Sequence, residues 1–138
     1  MAQALPLLLD EEQIGRSRAH FGRNFARILG YLREDGLEAI AKIEDAMRMN
    51  KPAAMIGPAD RIKAEAYDLG AVGLAEVAET IEFRARDCVE RRQSPDDLLG
   101  TVLSLRTIFD ETVALLDREA GPTGQREMPL LRERMTRV

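Results

Sequence analysis

The stretch Pro58-Ala59-Asp60-Arg61-Ile62-Lys63-Ala64-Glu65-Ala66-Tyr67-Asp68-Leu69-Gly70-Ala71 decides how the rest of this chain is read. Met55, Ala59, Ile62, Ala66 and Leu69 recur in alternating steps of four and three, which is one stripe of an α-helix. Gly70 follows, a residue that accepts the left-handed conformation closing a helix. On the opposite face the same spacing lines up Ala53, Ile56, Asp60, Lys63, Ala64 and Tyr67. A face left to water is rich in Glu, Lys, Arg and Gln. This one is small and apolar around one Asp and one Lys, the composition of a docking surface. The plainer alternative is an exposed i, i+3 ion pair between Asp60 and Lys63, worth a few tenths of a kcal/mol.

Working outward, each flanking segment also reads as helix. Asp10 is an N-cap, with Glu11 and Glu12 in the first turn and Gln13 able to reach back, so a short helix starts there. Leu7, Leu8 and Leu9 before it could cover one end of the domain. Phe21, Phe25, Ile28, Leu32, Gly36, Ala39, Ile43 and Met47 keep one helical phase. That phase predicts a long helix from about Ser17 to Asn50, bent at Asp35-Gly36, or alternatively two helices split at Gly36. Asn50-Lys51-Pro52 ends it. The quoted helix then runs from Pro52 to Leu69, with Pro58 inside it as the expected cause of a kink or a restart. From Ala71 to Gln93 the inner positions are Leu74, Val77, Ala78, Ile81, Ala85 and Cys88, while Glu76, Glu79, Glu82, Arg84, Arg86, Glu90 and Arg91 cover other faces. Ser94-Pro95-Asp96-Asp97 opens a last helix, which buries Leu98, Val102, Leu105, Phe109, Val113 and Leu116 and is expected to stop at Gly121-Pro122.

Composition agrees. The 138 residues are 45% hydrophobic and 32% charged, with four Phe, two Tyr and no Trp, which suits one aliphatic helical core. No run of alternating β-branched residues calls for a sheet. A net charge of −4 argues against a general nucleic-acid binder. The single cysteine rules out an internal disulfide and fits a reducing compartment, and Leu5 to Leu9 is too short to span a membrane, so a cytoplasmic location with no membrane association is expected.

Ala59-Asp60-Arg61-Ile62-Lys63-Ala64, followed by Leu69-Gly70-Ala71, resembles the core motif of histidine phosphotransfer (Hpt) domains of multistep two-component phosphorelays. That motif reads Ala-His-x-Leu-Lys-Gly and then, after a short helical run, Leu-Gly-Ala. The resemblance spans Ser17 to Glu119 and is greatest to the small free-standing Hpt proteins of α-proteobacteria. The frame, the lysine and the terminal Leu-Gly-Ala match. Asp60 stands where the family has its phosphoacceptor histidine, and Ala64 where it has glycine. The resemblance implies an all-α, antiparallel four-helix bundle. With the short N-terminal helix it makes one domain over residues 1–121, and the composition of 122–138, with four Arg, two Glu and Pro129, reads as a flexible tail. The resemblance also implies docking on a response-regulator receiver domain or a histidine kinase through Ile56, Asp60, Lys63, Ala64 and Tyr67.

The substitution bears on chemistry. Imidazole takes a phosphoryl group near neutral pH without a metal. A carboxylate does so in receiver domains with Mg²⁺ held by several acids. Helical spacing turns Glu65 and Asp68 away from Asp60, so Asp60 is not expected to be phosphorylated, and neither catalysis nor a cofactor or metal is expected. His20, in Ala19-His20-Phe21-Gly22-Arg23, only faintly echoes the motif and reads as a surface histidine. Cys88 reads as a buried, inert thiol. The expectation is a monomeric, non-catalytic signalling module. The alternative is a structural bundle that self-associates through the Asp60 face.

Overall fold

The computed structural model describes residues 10–137, with side chains from Asp10 to Arg118 except that of Phe21. Five α-helices follow one another: α1 (Glu11–Phe21), α2 (Phe25–Arg48), α3 (Ala53–Asp68), α4 (Val72–Arg91) and α5 (Leu99–Arg137). No strand occurs among the described residues. The chain is all-α, as its periodicity requires.

Helices α2 to α5 form the bundle. α3 packs on α2 and α4, and α5 packs on the same two from the other side, closing a ring of four. Short connections at 49–52 and 69–71 force successive helices to run antiparallel. Between them the fully buried Leu32, Ile40, Ile43, Met55, Ile62, Leu69, Leu74, Ile81 and Leu105 form one aliphatic core, completed by Leu98, Phe109 and Leu116. Two ion pairs tie α2 to α5, the second of them bidentate. Arg33 donates to both oxygens of Asp117 at 2.6 and 2.7 Å, and Arg106 donates to Glu44 at 2.9 and 3.2 Å.

Three successive helices end by one device. Asn50, Gly70 and Arg92 all have left-handed φ values, of 57°, 81° and 54°. In each case the next residue's N–H bonds a carbonyl five residues back: Lys51 to Ala46 at 2.9 Å, Ala71 to Ala66 at 2.8 Å and Gln93 to Cys88 at 2.8 Å. Gly70 and, to a lesser degree, Asn50 are residue types that this conformation favours, whereas Arg92 is not.

The helix expected from Ser17 to Asn50 is instead two. α1 ends at Phe21, a single 3₁₀ turn covers Gly22–Asn24, and α2 begins at Phe25. Gly22 takes φ 54°, which a glycine does at little cost. The break therefore falls at Gly22 and not at Gly36. Gly36 lies buried inside α2, where an added Cβ would stand 2.3 Å from Phe109 Cε1. It is a packing glycine: the Phe109 ring occupies the space a side chain would need.

α1 begins as expected, with the Asp10 carboxylate accepting from the N–H groups of Glu12 and Gln13 at 3.0 and 3.2 Å. It then lies across the α3–α4 turn. The Asp10 N–H donates to the Gly70 carbonyl at 3.0 Å, the Ser17 hydroxyl donates to the Asp68 carbonyl, and Ile14 is buried. Leu7 to Leu9, expected to cover an end of the domain, lie outside the described residues. α3 runs unbroken through Pro58, so the alternative of a restart there is not observed. α5 continues past Gly121-Pro122 to Arg137, so the helix stop expected at that pair is not observed either. A proline removes one backbone donor, and one lost hydrogen bond does not by itself end a helix.

Candidate functional site

Burial of Met55, Ala59, Ile62 and Ala66 fixes which way α3 faces. The other side, carrying Ile56, Asp60, Lys63, Ala64 and Tyr67, is left at the surface. The Asp60 side chain is 57% exposed, and Tyr67 is 39% exposed. Ala64 is exposed, while Ile56 is half-buried against the core. All five residues picked from the sequence therefore share one side of one helix.

The surface does not end at α3. Lys63 Nζ stands 3.3 Å from Asp60 Oδ1 on its own helix and 2.7 Å from Glu82 Oε1 on α4. The Glu82 side chain is only 5% exposed, and its second oxygen accepts from Arg86 at 3.0 Å. The Lys63 ammonium also lies 5.9 Å from the centre of the Phe83 ring, within cation–π range. Phe83 is 57% exposed, a large apolar surface beside the charges. Because α3 and α4 run antiparallel and Lys63 meets Glu82, Asp60 lies at the level of Ala85, next to Arg86, and Ile56 at the level of Val89. The face thus spans two helices, with two acids and two bases in alternation.

The charges are coupled. The hydrogen bond from Lys63, supported by Arg86, holds the Glu82 carboxyl below the usual carboxylate range although burial pushes the other way. The hydrogen bond to Glu82, reinforced by Asp60, raises Lys63 above its ordinary value. Glu82 is a buried anion compensated by two cations, while Asp60 is the outermost anion and shares Lys63 with it. Lys63 is therefore committed to the protein's own carboxylates.

Glu82, Phe83 and Arg86 were not picked from the sequence. Glu82 does carry a signal: it falls in phase with Ala75, Ala78 and Ala85, all buried. A glutamate in that register needs a buried partner, and Lys63 supplies it. Phe83 has no such signal, because one exposed aromatic on a helix is ordinary.

Other chemistry-bearing residues sit elsewhere. His20 is exposed at the end of α1 and lines a cleft of about 380 Å³ with Gln13, Arg16, Ser17 and Asp68. The fold thus brings His20 to the end of α3 that carries Leu69-Gly70-Ala71, although it is distant in sequence. A second cleft of about 240 Å³, between α2 and α3, is lined by Glu38, Ala39, Lys42, Gly57, Pro58 and Arg61. Cys88, expected to be buried, is half-buried, with its thiol 3.5 Å from the Ser94 carbonyl. Among the described residues no three His, Cys, Asp or Glu side chains gather where a metal ion could be held. Among them, too, no helix is long and apolar enough to cross a membrane.

Comparison of the chain with family profiles, with curated proteins and with solved structures finds no match in any of the three.

Proposed function

We propose that this chain is an Hpt-like signalling module of two-component phosphorelays that docks on a receiver domain or a histidine kinase and carries no phosphoryl group. It acts as a monomer in the cytoplasm. The observation that carries the reading is the placement of Asp60: exposed on the mid-bundle helix, one turn before Lys63, on a face with Ile56, Ala64 and Tyr67. Asp60 occupies the acceptor position of the motif that the sequence resembles. Its neighbour within reach is an ammonium at 3.3 Å, which lowers a carboxylate's nucleophilicity.

A receiver's active site is itself acidic, so Asp60 brings like charges together on docking. At about 4 Å and a surface-like dielectric that repulsion is on the order of 4 kcal/mol before screening. Lys63 at 3.3 Å offsets part of it, and Glu82 keeps Lys63 in place. Binding therefore depends on Lys63 or on added Mg²⁺, and it favours the unphosphorylated receiver, which carries less negative charge. Titration calorimetry with a receiver domain, with and without Mg²⁺, tests this. Asp60→Asn is expected to strengthen binding, and Lys63→Glu and Tyr67→Ala to weaken it. If Asp60→Asn abolishes binding and Lys63→Glu leaves it intact, the partner is basic and the receiver reading is wrong.

The exposed Phe83 and Tyr67 support a second reading, in which the same face pairs two copies of the chain. Sedimentation equilibrium separates the two: self-association gives a dimer mass that Phe83→Ala reduces.

A further inference from the structure

α1 is held to the bundle by few contacts. Among its described side chains only Ile14 and Ser17 are buried. A helix of 11 residues is marginal alone in water, so what it touches decides whether it stays seated. Three of its contacts fall on the turn that closes α3. Ile14 rests on Gly70, where an added Cβ would stand 2.8 Å from the Ile14 Cγ1 and backbone nitrogen. The Asp10 N–H donates to the Gly70 carbonyl at 3.0 Å. The Ser17 hydroxyl gives a donor to the Asp68 carbonyl, one of the last four of α3, which have none within the helix. Tyr67 belongs to the same turn. Its carbonyl accepts from the Gly70 N–H at 3.1 Å, and its side chain is part of the Asp60 face.

The far end of α1 is built to turn. Gly22 takes its left-handed φ with open space around it, since an added Cβ there would meet nothing within 4 Å. The 3₁₀ turn Gly22–Asn24 buries no residue. Between that end and α3 an open cleft of about 380 Å³ is lined by Gln13, Arg16, Ser17, His20 and Asp68, so α1 is not sealed against α3 along its length. Few buried contacts at one end and an unpacked glycine turn at the other define an element that opens more easily than the whole domain unfolds.

We propose that α1 is a detachable clamp on the Asp60 face. Seated, it supplies donors to Asp68 and Gly70, and so keeps the closing turn of α3, with Tyr67, in its docking arrangement. Swung away about Gly22, it takes those donors and the Ile14 side chain with it. The turn then frays, and the apolar end of the face loses its shape. The effect on binding rests on the receiver or kinase docking proposed for that face. By reciprocity, a partner seated over Tyr67 holds α1 down, and whatever pulls α1 away releases the partner. The closing turn carries the coupling, because α1 contributes none of the residues of the face itself.

The test is amide hydrogen exchange of the full chain, wild type against Ile14→Ala, paired with titration calorimetry against a receiver domain. In wild type the amides of Leu69, Gly70 and Ala71 are expected to exchange together with those of α1, faster than core amides such as that of Ile81. Ile14→Ala is expected to speed both sets by the same factor, about tenfold or more. For a receiver domain that binds wild type, Ile14→Ala is expected to weaken binding about tenfold. In a Tyr67→Ala background it is expected to have little further effect, since it acts through Tyr67. Faster exchange in α1 alone would overturn the clamp, and so would α1 amides that exchange only with the core. Equal affinity of wild type and Ile14→Ala, or an equal loss in both backgrounds, would overturn it and leave the docking reading standing. If no receiver or kinase domain binds wild type, the docking reading fails and the exchange data alone decide the clamp. If Ile14→Ala does not fold, Ser17→Ala, which removes only the hydroxyl held to Asp68, decides by the same comparisons.

Discussion

Glu82 shows how much one residue can set on this surface. It is an anion with almost no solvent, held by Lys63 and Arg86, and it fixes the Lys63 ammonium close to Asp60. Its folded-state value is lowered, so its stabilisation is present above the ordinary carboxyl value of 4.5 and lost as pH falls through the lowered one. Glu82→Gln is therefore expected to flatten the acid limb of a thermal midpoint-versus-pH curve while lowering the plateau. Glu82→Ala, which leaves Lys63 short of a partner, is expected to cost about 1–3 kcal/mol near neutral pH by urea denaturation. An acid limb unchanged in Glu82→Gln would show that the contact with Lys63 contributes nothing. The face on α3 was legible from sequence because helical phase alone separates Asp60 and Lys63 from Met55, Ala59 and Ile62. The half contributed by α4 was not, since phase within one helix says nothing about which residue of the next helix meets it. Glu82 could have been flagged as a glutamate in a buried register. Its pairing with Lys63 needed the α3–α4 register.

At the scale of the helix, small changes at turns and contacts carry the consequences. Gly36→Ala places a methyl 2.3 Å from a Phe109 ring atom that is itself buried, so the core must shift. The expected cost is about 1–3 kcal/mol by urea denaturation. Gly70→Ala meets both a left-handed φ of 81° and the Ile14 backbone nitrogen at 2.8 Å. It is expected to destabilise by about 2 kcal/mol or more, by the same measurement, and to loosen α1 from the α3–α4 turn. Arg92 holds the equivalent left-handed position with a side chain that disfavours it, so Arg92→Gly is expected to stabilise by about 0.5–1 kcal/mol. A stabilising Gly36→Ala would mean that the Phe109 contact is misplaced. These helix ends also explain what periodicity could and could not locate. The Leu69-Gly70-Ala71 close was legible because glycine marks it. The Gly22 break was not, because Phe25, Leu32 and Ala39 keep the expected inward phase beyond the 3₁₀ turn. The Arg92 close carries no glycine and so gives no warning.

For the whole molecule, the balance of charge on the Asp60 face governs what it can meet. Asp60, Lys63, Glu82 and Arg86 together sum to zero, within a chain of net charge −4. A neutral, partly apolar patch on an acidic protein excludes broad attraction to polyanions and suits a small protein–protein contact. Such a contact is expected to weaken modestly with salt and strongly with loss of Phe83 or Tyr67, which supply its apolar area. The most direct measurement of the central claim is an NMR titration of the ¹⁵N-labelled chain with receiver and kinase domains from the same cell. The account predicts that at least one of them gives saturable shifts confined to Ile56, Asp60, Lys63, Ala64, Tyr67 and the Phe83–Arg86 turn, weakened by Tyr67→Ala. Saturable shifts that instead map to the α2–α5 side, or no binding by any of these domains, would contradict it.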